Sequence, residues 1–181
     1  MQKSTKNSLK LLVSLSLMSA LSIVLGKYLA FNLGQVLRFS LENLPIIFSG
    51  LAFGPVAGAL VGAVADLIGC LLVGYEINPL VTVGAATIGL AAGFCRIPFA
   101  KSIYSSPLLP IILAELFAHI IGSVVIKTIG LAVYYDMSIF LLMAWRLLNY
   151  LVIGALEGAL IYALFKNPAI KSQISSIRSG R

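Results

Sequence analysis

Charge is scarce in this chain. Only 10% of its 181 residues are Asp, Glu, Lys or Arg, against about a quarter in soluble domains, which excludes a water-soluble globular domain. Histidine occurs once, so there is no His-rich metal site. The two cysteines, Cys70 and Cys95, fall in apolar segments and form no C-x-x-C pair. That argues against a disulfide framework or a thiolate metal site. No G-x-S-x-G, H-E-x-x-H or P-loop sequence is present, which removes the familiar hydrolase and metalloprotease signatures. Without a nucleotide-binding loop the chain cannot power ATP-driven uptake alone. Its action must be passive, ion-coupled or energised by a partner, and no enzyme activity, cofactor or resident metal is expected.

What is abundant is apolar sequence: 60% of residues are hydrophobic and the mean hydropathy is +1.03. In lipid every backbone polar group must be paired internally, which leaves helices or a closed barrel. The apolar runs here are near-continuous rather than alternating, so helices are expected. They fall at 9–31, 38–53, 56–73, 80–96, 108–133 and 138–165. The second is short for a span of about 20 residues; it reads as a tilted, partly buried helix or one that stops below a surface. The first is too long for a signal peptide and lacks a cleavage site, so it reads as a retained helix. The fold class is an all-α integral membrane protein with six transmembrane helices.

The formal charge of +7 is explained by topology. Lys3, Lys6 and Lys10 precede the first run, Arg96 and Lys101 occupy a central loop, and Lys166, Lys171, Arg178 and Arg181 follow the last. Basic flanks mark the cytoplasmic side. The expectation is a multi-pass protein of the cell membrane with N- and C-termini cytoplasmic and no nucleic-acid partner. Residues 1–166 form the membrane domain, and 167–181 a solvated, Ser-rich basic tail.

Against this apolar background the ionisable residues are conspicuous. Each costs roughly 2.5–3.5 kcal/mol near the bilayer centre on insertion scales, so each needs a protein interior or a cavity. Arg38, Glu42 and Asp66 sit in RFSLENLPIIFSGLAFGPVAGALVGAVADLIG. Gly58, Gly62 and Gly69 fall on the Asp66 side of their helix. They suit either close helix packing or a thin wall beside a flat ligand. Lys27, Arg38, Lys127 and Arg146 fall in the outer half, where converging cations would suit an anion. Arg38, one turn before Glu42, equally suits an internal ion pair. His119, four residues after Glu115, suits a mutually satisfied pair or a proton relay. Glu157 shares a helix face with Arg146, eleven residues deeper. Among the outer aromatics, Tyr75 and Trp145 are stacking candidates; Trp145 adjoins Arg146 and lies one turn before Asn149. Ser16-x-x-x-Ala20 and Ser22-x-x-x-Gly26 are small-residue pairs suited to helix docking.

With its size, its small-x-x-x-small first helix and the RFSL…DLIG run, the whole chain resembles the substrate-binding S component of an energy-coupling factor (ECF) vitamin transporter. It most resembles the folate-specific branch. The resemblance implies capture of one vitamin from outside and association with a membrane-embedded T component and two cytoplasmic ATPase subunits. It places docking on Ser16 and Ala20, where the family usually has Ala-x-x-x-Ala. For folate, Asp66 would accept from the pterin, Arg38, Lys127 and Arg146 would meet the anionic glutamate, and Tyr75 or Trp145 would form a shelf. His119 and Asn149 complete the expected substrate site. The alternatives are an S component for pantothenate or riboflavin, a stand-alone ion-coupled carrier using Asp66 or Glu115–His119, and a scaffold without ligand.

Overall fold

The computed structural model describes residues 2–33, 37–100, 102–135 and 137–178, and side chains for these except 2–6, 32–38 and 135. Lys101 and Arg181 therefore lie outside the described residues, as do the side chains of Lys3, Lys6 and Arg38. Helix α1 (Gln2–Ile23) continues into a π-helical turn, Val24–Tyr28. An antiparallel hairpin follows, β1 (Phe31–Leu33) and β2 (Leu37–Phe39), with Phe31 opposite Phe39 and Asn32 opposite Arg38. Then come α2 (Asn43–Phe53), α3 (Pro55–Val73), α4 (Pro79–Arg96) and the short α5 (Ser102–Ser105). The next rod is composite: α6 (Leu108–Phe117), a π-helical stretch Ala118–Ile126, and α7 (Lys127–Tyr135). Finally α8 (Ile139–Lys166) and α9 (Pro168–Arg178) close the bundle.

Among the described residues, five helical stretches are long and apolar enough to cross a bilayer: Asn7–Tyr28, Pro55–Val73, Pro79–Arg96, Leu108–Tyr134 and Ile139–Lys166. The sixth expected span is α2, and it is half-length. Its 11 residues make a rod of about 16 Å, and every one of them is buried. The neighbouring helices wrap it, so it contacts protein on all sides. The sequence reading began this helix at residue 38. The chain instead forms a strand there, so Arg38 is not one helical turn from Glu42 and the expected i, i+4 geometry does not arise.

Local chemistry sets the breaks. Gly54 has φ 108°, a region closed to most L-residues, and Pro55 starts α3 where its missing N–H costs nothing. Gly74, at φ 71°, ends α3 in the left-handed conformation. Asn78 caps α4, its Oδ1 accepting from the backbone N–H of Leu80 at 3.0 Å. Its Nδ2 donates to the Gly130 carbonyl at 2.8 Å, tying the loop to α7.

The glycines of α3 are a packing device. A Cβ on Gly58 would overlap the Gly89 carbonyl oxygen, and one on Gly89 would overlap that of Gly58. A Cβ on Gly62 would meet the Ala85 carbonyl in the same way. At Gly69 it would sit 2.9 Å from Lys27 Cε. The backbones of α3 and α4 are in direct contact there, as small residues permit in lipid. Gly58 and Gly62 thus serve close helix packing, and Gly62 also borders the small cavity beside Asp66.

The expected solvated tail also takes a different form. Ile170, Ile174 and Ile177 share one face of α9 and pack on the core, with Ile174 2% exposed. Lys171 Nζ donates to the Tyr104 carbonyl and Arg178 Nη1 to the Tyr104 hydroxyl, each at 2.8 Å. The Tyr104 ring in turn meets Phe165 edge-on. The helix seals the bundle end opposite the hairpin.

Candidate ligand site and the polar core beneath it

Near the hairpin, α1, α3, α4 and α7 enclose a small cavity lined by Ser22, Lys27, Glu42, Asp66 and Lys127 among others. Its free volume is about 20 Å³. Lys127 opens α7, and its Nζ donates to Glu42 Oε1 at 3.1 Å. The lysine side chain is 5% exposed and the glutamate 23%, so the pair is only partly hydrated. Glu42 is pinned from α1: Ser22 Oγ donates to its carbonyl at 2.6 Å, and Gly26 leaves space that a Cβ would take from the Glu42 carboxylate. Asp66, one helix over, accepts from Thr82 Oγ1 at 2.7 Å. Lys127 lies within electrostatic reach of Glu42, Tyr150, Asp66 and Arg146. Two carboxylates and two lysines thus line one cavity, with Arg146 near Lys127.

The other expected site residues divide. Arg146 turns inward from α8: its Nε donates to the Ser123 carbonyl and its Nη2 to the Tyr150 hydroxyl, both at 3.2 Å. The Ser123 carbonyl belongs to the π-helical stretch and also accepts from Thr128 Oγ1 at 3.4 Å. A π-turn displaces carbonyls from the regular ladder, which is why such stretches recur at functional sites. Asn149 is buried on α8. Trp145 is 42% exposed and Tyr75 59%; neither lines the cavity. Tyr75 sits over the Lys27 ammonium, 5.4 Å from the ring centroid, and Lys27 Nζ also reaches Cys70 Sγ at 3.6 Å. Arg38 falls on β2, and its side chain lies outside the described residues. On α1, Ser16 and Ala20 are exposed while Ser19 and Ser22 are buried, so the expected docking pair faces away from the bundle.

His119 lies deeper. Its Nε2 is 3.0 Å from Glu115 Oε2 and 3.0 Å from Glu157 Oε2. The pairing with Glu115 was expected; Glu157 is an additional partner from α8. Glu157 Oε1 also accepts from the backbone N–H of Leu44 at 3.0 Å. It therefore caps the N-terminus of α2, where the helix dipole favours an anion. Tyr150 joins the two layers. Its ring stacks on His119 at 4.6 Å between centroids, with 23° between planes, and its hydroxyl holds Arg146.

Two participants were missed in the sequence as site residues: Tyr150, and Glu42 as the partner of Lys127. Tyr150 carried one available signal, since it follows Arg146 by four residues on a helix and so shares its face.

Comparison with known proteins agrees with this architecture. The family described as ECF transporter, substrate-specific component, matches residues 10–167. Among solved structures, that of FolT bound with folic acid is 22% identical with a TM-score of 0.66, covering 84% of this chain and 90% of that one. The S-component for biotin from an ECF-type ABC transporter is 16% identical with a TM-score of 0.68, covering 93% and 97%. The S component of a bacterial ECF transporter is 21% identical with a TM-score of 0.55, covering 87% and 96%. No curated protein sequence matches. At these identities the structural likenesses bear on the fold, and the family match covers most of the chain. The chain belongs to the substrate-specific components of ECF transporters, membrane-embedded transport subunits rather than enzymes.

Proposed function

We propose that the protein is the folate-binding S component of an ECF-type vitamin uptake transporter, with the hairpin end facing outward. The observation that carries this reading is the cavity beneath the hairpin where Glu42, Asp66, Lys27 and Lys127 come together, with Arg146 within electrostatic reach of Lys127. Folate presents both complements: ring N–H donors on its pterin for a carboxylate, and two carboxylates on its glutamate for cations. Biotin, whose S component shares the fold, has one carboxylate and needs one cation. Pantothenate likewise has one carboxylate, and riboflavin has none. The likeness to FolT bound with folic acid supports the same choice.

A ligand of folate size needs several hundred cubic ångströms, far more than the 20 Å³ enclosed here. Binding therefore requires the cavity to widen, which parts Glu42 from Lys127. A ligand carboxylate then replaces Glu42 on the buried ammonium, so that Lys127 is never left unpaired.

The test is titration of the purified, detergent-solubilised chain with folic acid, biotin, pantothenate and riboflavin by calorimetry. Folic acid should bind one to one with a Kd below about 1 μM, and the others at least about a hundredfold more weakly. Saturation by biotin with no heat from folic acid would overturn the assignment. Asp66→Asn should weaken folic acid by about tenfold, the loss of one charge-assisted hydrogen bond; unchanged affinity would remove Asp66 from the ligand site.

Partner docking is proposed on the exposed α1 face, with a T component in the membrane and two cytoplasmic ATPases supplying energy. Ala20→Trp should leave folic acid affinity intact and abolish ATP-dependent uptake in proteoliposomes with the partners. Normal uptake by this variant would move the docking surface elsewhere.

A further inference from the structure

The group of Glu115, His119 and Glu157 has more acceptors than hydrogens. His119 Nε2 carries at most one proton, yet carboxylate oxygens approach it at 3.0 Å from both Glu115 and Glu157. The hydrogen-bond geometry favours Glu157. Glu115 keeps only its 3.0 Å ionic contact with that shared imidazole, and neither of its buried oxygens has a well-formed hydrogen bond. Two buried carboxylates that share one imidazole are under-compensated and call for a further counter-ion. One residue before Leu44, the fully buried Asn43 amide is also without a hydrogen-bond partner at either atom.

We propose that Glu115, His119 and Glu157 bind one divalent first-row cation, Zn²⁺ or Mn²⁺ by donor type. This departs from the sequence expectation of no resident metal. One imidazole nitrogen and two carboxylate oxygens suit these ions. Metal–ligand distances near 2.1 Å imply donors about 3.4 Å apart in a tetrahedron. The donor atoms here already lie within 4.8 Å of one another, and the two 3.0 Å contacts need to open by only a few tenths of an ångström. Two carboxylates with neutral imidazole carry two negative charges, which a divalent ion cancels in a low-dielectric setting.

The surroundings have the features that tune metal ligands. Ser123 Oγ lies 3.4 Å from His119 Nδ1 and can fix the tautomer. The Leu44 N–H holds the second oxygen of Glu157 at 3.0 Å. Gly154 opposes the group closely, its absent Cβ lying 3.6 Å from Glu115 Oε2. Glu115 and His119 also line a groove of about 610 Å³ between α6 and α8, whose other walls are mostly apolar. The ion would join the π-helical stretch to α8 and leave Lys127 and Arg146 to the transported ligand, so this inference does not depend on the ligand's identity.

The test is expression with added Zn²⁺ or Mn²⁺, purification without chelator, and metal analysis by mass spectrometry. The wild-type chain should carry about one ion, and its melting temperature should fall when a chelator strips it and recover on re-addition. Glu115→Gln and His119→Asn should each lose the ion, or bind it at least about tenfold more weakly. A wild-type chain without stoichiometric metal, whose melting is unmoved by added Zn²⁺ and Mn²⁺, would overturn the proposal. Metal content unchanged in both variants would do the same, since it would place the ion elsewhere. Should a variant not fold, the wild-type chelation and re-addition experiment still decides. Folic acid titration on the same samples keeps this outcome separate from that of the ligand assignment.

Discussion

Arg146→Gln is expected to weaken folic acid binding by roughly a hundredfold, about 2.7 kcal/mol, within the range for losing a hydrogen-bonded charge. The side chain is preorganised. Its Nε and Nη2 are fixed by the Ser123 carbonyl and the Tyr150 hydroxyl at 3.2 Å, which sets the plane of the guanidinium before any ligand arrives. A carboxylate meeting the remaining Nη1 and Nη2 hydrogens of that fork gains two hydrogen bonds at little entropic cost. Arg146→Lys keeps the charge and loses the fork, so its affinity should fall between wild type and glutamine. Calorimetry on the three proteins gives the ranking, and thermal melting checks that each is folded. A loss below about threefold in a folded glutamine variant would take Arg146 out of the ligand site.

Gly89→Leu is expected to prevent a stable bundle. The Cα of Gly89 faces the backbone of Gly58 so closely that even a methyl group would overlap the carbonyl. Overpacking ordinarily costs about 1–3 kcal/mol because side chains give way. Here the obstacle is main chain, and relief requires α3 and α4 to separate along their whole crossing. Size-exclusion chromatography should show aggregate in place of the monodisperse peak, and the cooperative melting transition should vanish. Gly74→Asn is the control. Nothing lies within 4 Å of a Cβ there, and asparagine tolerates the left-handed φ of 71°, so its stability should stay within about 1 kcal/mol of wild type. Equal damage from both substitutions would contradict the close-contact account.

The contrast between those glycines shows what the sequence made legible. Long apolar runs announce spans because lipid leaves the backbone few alternatives, so five of the helices were placed within a few residues, apart from the N-terminal end of α1. The brevity of α2 was visible too. Whether Gly58 and Gly62 line a pocket or a helix contact depends on what stands opposite, and one strand of sequence does not say. The partner of Glu42 was obscured for the same reason. Helical spacing suggested Arg38, whose side chain lies outside the described residues, whereas Lys127, a partner that spacing could not suggest, is 85 residues away. Glu157 joins His119 across 38 residues, with no periodicity to signal it. The π-helical stretch leaves no compositional mark, although it positions both His119 and the Ser123 carbonyl. In the tail, serines between Ile170, Ile174 and Ile177 hid an amphipathic helix.

The half-length α2 also has a consequence for the order of assembly. Its N-terminus finds its carboxylate on α8, 113 residues later in the chain. Until Glu157 emerges from the ribosome, the first N–H groups of α2 face the bilayer interior without that acceptor, a state lipid tolerates poorly. The segment is too short to span alone, so it is expected to enter together with α3 and to take its final seat only when the last crossing arrives. The C-terminal third is then expected to gate the assembly of this protein. A nascent chain arrested before Glu157 should expose α2 to membrane proteases, and one released after it should protect the same segment.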